Sequence, residues 1–327
     1  MTQNRLRLLL AFLAVYLIWG STYLGIRFAI ETLPPFLMAG TRFVIAGLVL
    51  YGWARRKGAA APSGVNWITA GVVGTLLLIG GNGGVVWAET RVASGLAALL
   101  IATEPFWIVL LDWLRPGGRR PGLAVAAGLL FGFIGVGLLV SPFDLIGGGR
   151  VDALGAAAVV LASLSWAIGS LYTARGAKLP TSPTLATGME MLIGGALFFP
   201  LSAATGEWAT FSLAAVSLKS ALALLYLTVF GAIVAFTAYV YLLKNTTPAR
   251  ASTYAYVNPV IAVVLGWAFG GEAITGRVAL AAGAIIAAVV VITRHQAGGP
   301  VSAPPLPARA AGTPARPAAA TSRRSAF

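Results

Sequence analysis

The chain has 327 residues, of which 23 are Lys or Arg and 9 are Asp or Glu, so its formal net charge is +14. Hydrophobic residues make up 58% and charged residues 10%, whereas about 25% of the residues in a soluble domain are charged. So few charges could not cover the surface of a soluble protein of this length, and we expect a membrane protein. The absence of cysteine excludes disulfides and thiolate metal sites.

Long apolar runs occupy most of the chain, and a helix that spans a bilayer needs about 20 such residues. Strands of a membrane barrel would alternate apolar and polar residues, but these runs are continuously apolar. We therefore predict an all-α integral membrane protein with ten transmembrane helices. The predicted helices are roughly Leu6–Ile30, Pro35–Trp53, Trp67–Glu89, Ala93–Leu114, Leu123–Ser141, Ala153–Tyr172, Thr184–Ala203, Ala221–Leu243, Ala251–Phe269 and Val278–Ile292.

The positive charges alternate along this arrangement. With the N-terminus in the cytoplasm, 17 Lys and Arg residues lie on the cytoplasmic side and five on the outer side. Cytoplasmic connections of membrane proteins carry an excess of Lys and Arg, so we expect both termini in the cytoplasm. The Ala-, Pro- and Arg-rich residues 296–327 have too little bulky apolar surface to fold, and we predict a disordered cytoplasmic tail. Basic clusters of this kind do not form a nucleic-acid-binding face.

The two halves of the chain resemble each other. A shift of 148 positions places Pro35 on Pro183, Gly40 on Gly188 and Gly47 on Gly195, and a shift of 154 places Pro105 on Pro259 and Trp113 on Trp267. We predict two five-helix repeats, residues 1–148 and 149–295. Because five is odd, the second repeat enters the membrane from the opposite side. Inverted repeats commonly hold a binding site near the midplane and alternate its access.

Short motifs add a family resemblance. They are Tyr16–Tyr23 (YLIWGSTY), Ala39–Phe43 (AGTRF), Ser165–Ser170 (SWAIGS) and Ser252–Val260 (STYAYVNPV). Their order and spacing resemble the drug/metabolite transporter superfamily, and in particular its ten-helix EamA-domain exporters, over about residues 8–295. The resemblance implies export of small metabolites or drugs from the bacterial cytoplasm through a central cavity in the inner membrane.

Charged residues deep inside a predicted helix invite a functional hypothesis, because each costs about 2.5–3.5 kcal/mol to insert. Glu104 precedes Pro105, and the matching step in the second half is Asn258 before Pro259. We hypothesise that Glu104 and Asn258 face a shared cavity, where Glu104 exchanges a proton or pairs with a cationic substrate group. The alternative is a permanently protonated Glu104 that hydrogen-bonds a neighbouring helix.

Arg42 lies about seven residues into the second helix from the outer side, and Glu190 occupies the equivalent position of the seventh helix from the inner side. They could attract each other, or Arg42 could bind an anionic substrate group, but we favour a structural role for Arg42. Asn82 interrupts a run of glycines and is a candidate cavity residue or a hydrogen-bond partner of a neighbouring helix. The aromatic candidates for a cavity lining are Trp19, Tyr23, Trp107, Trp166 and Tyr256, the alternative being a belt at the lipid interface.

Motifs for catalysis are missing from the sequence. It contains no phosphate-binding loop and no zinc-ligand spacing, so we expect no enzyme, no cofactor and no metal. We predict a secondary transporter that exports small metabolites or drug-like compounds, such as amino acids, by alternating access. Its partners would be the small-molecule substrate, the lipid bilayer and a proton or another coupling ion, and it would act as a monomer or a homodimer. The rival hypotheses are a membrane enzyme or lipid-handling protein and a ligand receptor that does not transport.

Overall fold

The computed structural model describes residues 3–116, 120–139, 152–245 and 254–296, and within these ranges the chain is helical and contains no strand. Seven described helices are long and apolar enough to cross a membrane: Arg5–Ala29, Pro35–Arg56, Gly64–Ala88, Ser94–Leu114, Ala153–Ala174, Pro183–Ala204 and Leu218–Tyr239. Three shorter apolar helices cover Leu123–Leu138, Val257–Gly270 and Gly276–Ile292. The predicted all-α membrane class is therefore confirmed. Residues 297–327, almost all of the predicted tail, lie outside the described residues.

We label the helices in chain order and give one label to segments that follow each other directly or across a two-residue turn. They are α1 (Gln3–Ala14, Val15–Trp19 and Gly20–Ala29), α2 (Pro35–Arg56), α3 (Gly64–Gly74, Thr75–Gly83 and Gly84–Ala88), α4 (Ser94–Ile101 and Glu104–Leu114), α5 (Leu123–Leu139), α6 (Ala153–Ala174), α7 (Pro183–Ala204), α8 (Leu218–Tyr226, Leu227–Val234 and Ala235–Asn245), α9 (Tyr254–Gly270) and α10 (Gly276–Gln296). Where both ends are described, the helices begin and end within a few residues of the predicted limits.

Local sequence explains where several helices begin. A side chain before the first turn accepts a hydrogen bond from a backbone N–H that the helix itself leaves unpaired. Ser63 and Asn66 form such a cap reciprocally at α3, and Asp152 accepts from the Gly155 N–H at 2.7 Å at α6. Pro35 starts α2 and Pro183 starts α7, and proline suits this position because its missing N–H would have no partner there.

The fourth predicted helix is interrupted. Its first segment ends at Ile101, and a turn at Ala102 and Thr103 precedes the second segment. Pro105 accounts for the break, because it has no N–H to donate to the Ile101 carbonyl four residues earlier. The Ser163 hydroxyl of α6 donates to that carbonyl instead, at 3.4 Å. Three other stretches are π-helical: Val15–Trp19, Thr75–Gly83 and Leu227–Val234.

Glycines allow α2 and α7 to approach backbone to backbone. A methyl group on Gly40 would lie 3.1 Å from the Gly195 carbonyl oxygen, and one on Gly47 would lie 2.9 Å from the Gly188 carbonyl oxygen. Both distances are shorter than ordinary van der Waals contact, so larger residues would push the helices apart. The four glycines are the residues that the 148-position shift aligned, and they meet in crossed order.

Other helix contacts also recur when the two halves are exchanged. α1 packs against α8, and α6 correspondingly packs against α3. α1 contacts α9, as α6 contacts α4, while α4 packs on α9 and α5 on α10. Buried apolar side chains of α1, α2, α3, α6, α7 and α8 form one core, and those of α3, α4, α5, α6 and α10 form another. These contacts between the halves thus have a counterpart or join two equivalent helices.

Two faces of the bundle can be defined by their connections. The Glu272 face carries connections 30–34, 89–93, 205–217 and 271–275. On this face Lys219 of α8 pairs with Glu31, and Arg27 of α1 pairs with Glu272. The N-terminal face carries connections 57–63 and 175–182, where Asn66 donates to the Lys178 carbonyl oxygen at 2.8 Å.

Candidate functional site

A cavity lies between the two halves, among α1, α2, α3, α4, α6, α8 and α9. Two core clusters flank it, and Tyr23 contacts both of them. Seven of the ten residues that the sequence suggested line the cavity: Trp19, Tyr23, Arg42, Asn82, Glu104, Trp166 and Asn258.

The other three candidates are not among the described residues that line the cavity. Trp107 packs edge-on against Phe133, with ring centroids 6.0 Å apart. Glu190 lies on α7 where that helix crosses α3 at Gly74, outside the cavity. The backbone of Tyr256 belongs to α9, but its side chain lies outside the described residues.

Arg42 is positioned by α3 rather than by Glu190. Its Nη2 donates to Asn82 Oδ1 at 2.8 Å, and its guanidinium carbon lies 4.3 Å from the ring centroid of Phe43. Only 4% of Arg42 is exposed, and within the described residues its Nε has no hydrogen-bond partner. A guanidinium has five N–H donors, so Arg42 retains unused capacity to bind an anionic group beside the cavity.

Glu104 sits at the break in α4, as the first residue of the second segment. The N-terminal end of a helix carries partial positive charge, which favours an anionic side chain in its first turn. Thr103, just before it, donates to the Ser163 hydroxyl of α6 at 3.1 Å. A discontinuous helix that ends inside a bundle is a recurrent way for transporters to build a binding site. The break therefore presents a carboxyl group to the cavity.

Aromatic rings surround Trp19 at one end of the cavity. The centroid of the Trp19 ring lies 5.1 Å from that of Phe236, 5.2 Å from that of Tyr239 and 5.1 Å from that of Tyr254. The Trp19 Nε1 donates to the Gly231 carbonyl oxygen at 3.2 Å, which fixes the indole ring. We call Trp19, Phe236, Tyr239 and Tyr254 the aromatic cluster. Such rings bind apolar ligands and attract cations to their faces.

Irregular backbone borders the cavity on several sides. Trp19 ends the π-helical stretch of α1, Asn82 lies in that of α3, and Gly231 lies in that of α8. An extra residue per turn changes the direction of the side chains, and such stretches are frequent at functional sites. Non-helical or distorted backbone within a membrane is tolerated where it is buried in protein or lines a cavity.

Three residues that line the cavity or lie next to it were not identified from the sequence. Phe236 and Tyr239 are three residues apart in α8, and this spacing on a membrane helix was the available signal. Ser163 looked like one small polar residue among many, and its role depends on the break in α4. Glu104, by contrast, was found because a charge inside an apolar run is conspicuous.

The EamA-like transporter family matches residues 6–141 and again residues 153–294. The chain belongs to this family. It is 40% identical over 284 residues to the uncharacterized inner membrane transporter YedA of Escherichia coli (strain K12), covering 86% of this chain and 89% of that protein. It is 25% identical over 281 residues to a probable amino-acid metabolite efflux pump of the same strain, covering 81% of this chain and 87% of the pump.

A solved crystal structure of a protein shares the fold, with a TM-score of 0.61 and 22% sequence identity over 88% of this chain and 98% of that one. The family resemblance read from the motifs is confirmed. The protein is a multi-pass inner membrane transporter of small molecules, and it is not an enzyme.

Proposed function

We propose that this transporter exports small metabolites, such as amino acids or related compounds, from the bacterial cytoplasm by alternating access. The observation that carries the proposal is the cavity between the two halves, which combines Glu104 and Arg42 with the aromatic cluster. A membrane-embedded carboxyl group and guanidinium are costly and are rarely kept without a functional role. Together they would bind a substrate with an ammonium group and an anionic group.

The aromatic cluster supports an amphipathic substrate. Trp19, Phe236 and Tyr254 line the cavity, as do Asn82 and Asn258 with their amide groups. The Oδ1 of Asn258 is buried and has no hydrogen-bond partner among the described residues, so it is an acceptor available after a small rearrangement. The relative named as a probable amino-acid metabolite efflux pump agrees with this substrate class.

Alternating access would follow from two inverted five-helix repeats, residues 1–148 and 149–295, in a bundle of ten transmembrane helices. The two separate family matches, 6–141 and 153–294, support this division. The crossed glycine contacts of α2 with α7 also support it, because a twofold axis between the repeats would produce them. Rocking one repeat against the other would then open the cavity to each side in turn.

The excess of Lys and Arg supports an orientation with the N-terminal face and the tail, residues 296–327, in the cytoplasm. The chain lacks cysteine, so single cysteines can test this directly. Ala61→Cys on the N-terminal face should react with an impermeant maleimide only after cells are permeabilised. Ala214→Cys on the Glu272 face should react in intact cells. The reverse pattern would show the opposite orientation.

Glu104 is the proposed proton or cation site, and transport by purified protein in proteoliposomes tests it. A panel of amino acids and related amines is screened with and without a pH gradient. We expect Glu104→Gln to reduce transport at least tenfold or to remove its dependence on pH, whereas Glu190→Gln, the same change outside the cavity, should not. An unchanged rate and pH profile for Glu104→Gln would refute the coupling role.

The same assay distinguishes the rival functions. A membrane enzyme or lipid-handling protein would convert or redistribute a compound without net solute movement. A receptor would bind a compound in the cavity without flux. If no compound moves under any gradient, the export proposal fails. The oligomeric state, monomer or homodimer, can be read from the mass of the purified protein in detergent.

A further inference from the structure

Glu89 is an acidic residue beside the cavity that the proposed function does not use. The α3 helix continues to it, since the Glu89 N–H donates to the Val85 carbonyl oxygen at 2.9 Å. Val85 and Asn82 line the cavity, and they precede Glu89 by four and seven residues. Residues at these spacings share one face of a helix. Glu89 therefore lies about 6 Å beyond the cavity lining, toward the Glu272 face.

The carboxyl group of Glu89 is buried without compensation. The residue is 6% exposed, and within the described residues neither of its carboxyl oxygens has a hydrogen-bond partner. An ionised carboxylate without partners is strongly disfavoured in such a place. A buried group of this kind is stable if it carries a proton, or if a cation reaches it in another conformation.

The neighbouring charges differ in how firmly they are held. Arg27 pairs with Glu272, whose carboxylate also accepts from the Ser94 N–H at 2.8 Å and the Gly95 N–H at 2.9 Å. Arg27 is therefore held by Glu272, and Glu272 is held by Arg27 and by the start of α4. Near the start of α6, Asp152 pairs with Arg91.

Among the described residues, Arg42 of α2 and Tyr23 of α1 are further charged or titratable groups near Glu89. Arg42 is bound through a single amide oxygen, that of Asn82, and its Nε is free among the described residues. Asn82 and Glu89 lie two turns apart on the face of α3 near Arg42. Turning toward Glu89 would cost Arg42 this single acceptor, whereas Arg27 would have to leave Glu272.

We propose that Glu89 is a proton-binding switch that controls the charge of the cavity through Arg42. With a proton on one carboxyl oxygen, Glu89 is neutral, and Arg42 stays on Asn82 with its positive charge at the cavity. When that proton leaves to solvent, the carboxylate attracts Arg42 and cancels its charge. Glu89 is a positioning residue, and the inference rests on the proposed function, in which Arg42 binds an anionic substrate group.

The absence of native cysteine allows a test that needs no substrate. Val85→Cys places a thiol in the cavity lining, between Asn82 and Glu89 along α3. Its reaction rates with an anionic sulfonatoethyl and a cationic trimethylammonium-ethyl methanethiosulfonate are measured from about pH 5.5 to about pH 8.5. Both reagents attack the same thiolate, so the ratio of anionic to cationic rates cancels the ionisation of the cysteine and reports the local potential.

Glu104 also lines the cavity, so the measurement is made in a Glu104→Gln background. We expect the rate ratio to fall on the order of tenfold as the pH rises, because a negative charge appears at Glu89. Adding Glu89→Gln should hold the ratio at its low-pH value throughout. Adding Glu89→Asp instead should preserve the fall, which controls for loss of folding, and Glu190→Gln should leave it unchanged.

Each result supports or contradicts the inference. A flat ratio with Glu89 present, or a fall that persists in Glu89→Gln, overturns the switch and leaves the export proposal standing. Thr22→Cys, at a second lining position, checks that the thiol is reachable. If neither cysteine reacts, the cavity is closed to small solutes, and that result contradicts the proposed function itself.

Discussion

The close contact between α2 and α7 makes a quantitative prediction about Gly47. An alanine methyl at this position would lie 2.8 Å from the Leu192 backbone nitrogen and 2.9 Å from the Gly188 carbonyl oxygen. Optimal contact between such atoms is about 3.5 Å, so the helices would have to separate by about 0.7 Å. Because both neighbours are backbone atoms, no side chain can rotate away. Overpacking of this kind costs about 1–3 kcal/mol.

Gly52 provides the matched control. It lies in the same helix, and a methyl group there would meet no atom within 4 Å. Replacing either glycine by alanine gains about 1 kcal/mol of intrinsic helix stability. The difference between Gly47→Ala and Gly52→Ala therefore isolates the cost of the contact, and we expect Gly47→Ala to be less stable by about 1–3 kcal/mol.

Reversible unfolding in mixed micelles, followed by tryptophan fluorescence, measures this difference. The chain has nine tryptophans, so the signal is strong. Equal stability of Gly47→Ala and Gly52→Ala would refute the backbone contact between α2 and α7. The twofold arrangement of the halves would then lose one of its two main supports.

Two further predictions concern charged side chains. Glu272→Gln weakens a carboxylate that accepts three hydrogen bonds from the start of α4, and should lower the free energy of unfolding by about 2 kcal/mol or more. Glu31→Gln, in an exposed ion pair, should cost under about 1 kcal/mol, and equal losses would contradict this ranking. The hydrogen bond from the Gly155 N–H lowers the pKa of the Asp152 carboxyl group below its usual 3.8. The ionised carboxylate therefore stabilises the fold above pH 3.8. This stabilisation is lost as the pH falls through the lowered pKa. The stability difference between wild type and Asp152→Asn should therefore shrink below pH 3.8, and a pH-independent difference in unfolding titrations would exclude this role.

The membrane helices were predictable because the bilayer imposes a simple rule. Every backbone group inside it must be hydrogen-bonded within the protein, so apolar runs of sufficient length form helices. The break before Glu104 was not predicted, although Pro105 was noted. Its position depends on which neighbouring helix satisfies the Ile101 carbonyl, and Ser163 is 62 residues away.

The cavity residues were predictable only in part, for a geometric reason. The sequence gives the depth of a residue along its helix, but not the direction in which its side chain points around the axis. Arg42 and Glu190 were matched by their positions in the predicted repeats, yet Arg42 meets Asn82 while Glu190 lies where α7 crosses α3. Glu89 stood at the end of its predicted helix, where a charge usually reaches water. Its burial depends on packing that no single helix encodes.

The acidic residues on the Glu272 face link the two halves. Glu272 caps the start of α4, and Glu207 accepts from the Phe36 and Leu37 N–H groups at the start of α2, at 3.0 and 2.9 Å. Both carboxylates come from the second half and both helices from the first. Separating the halves on this face must break these charge-assisted bonds. We therefore expect Glu272→Gln also to speed the reaction of Val85→Cys with thiol reagents added from this face, and unchanged rates would show that the caps do not control access.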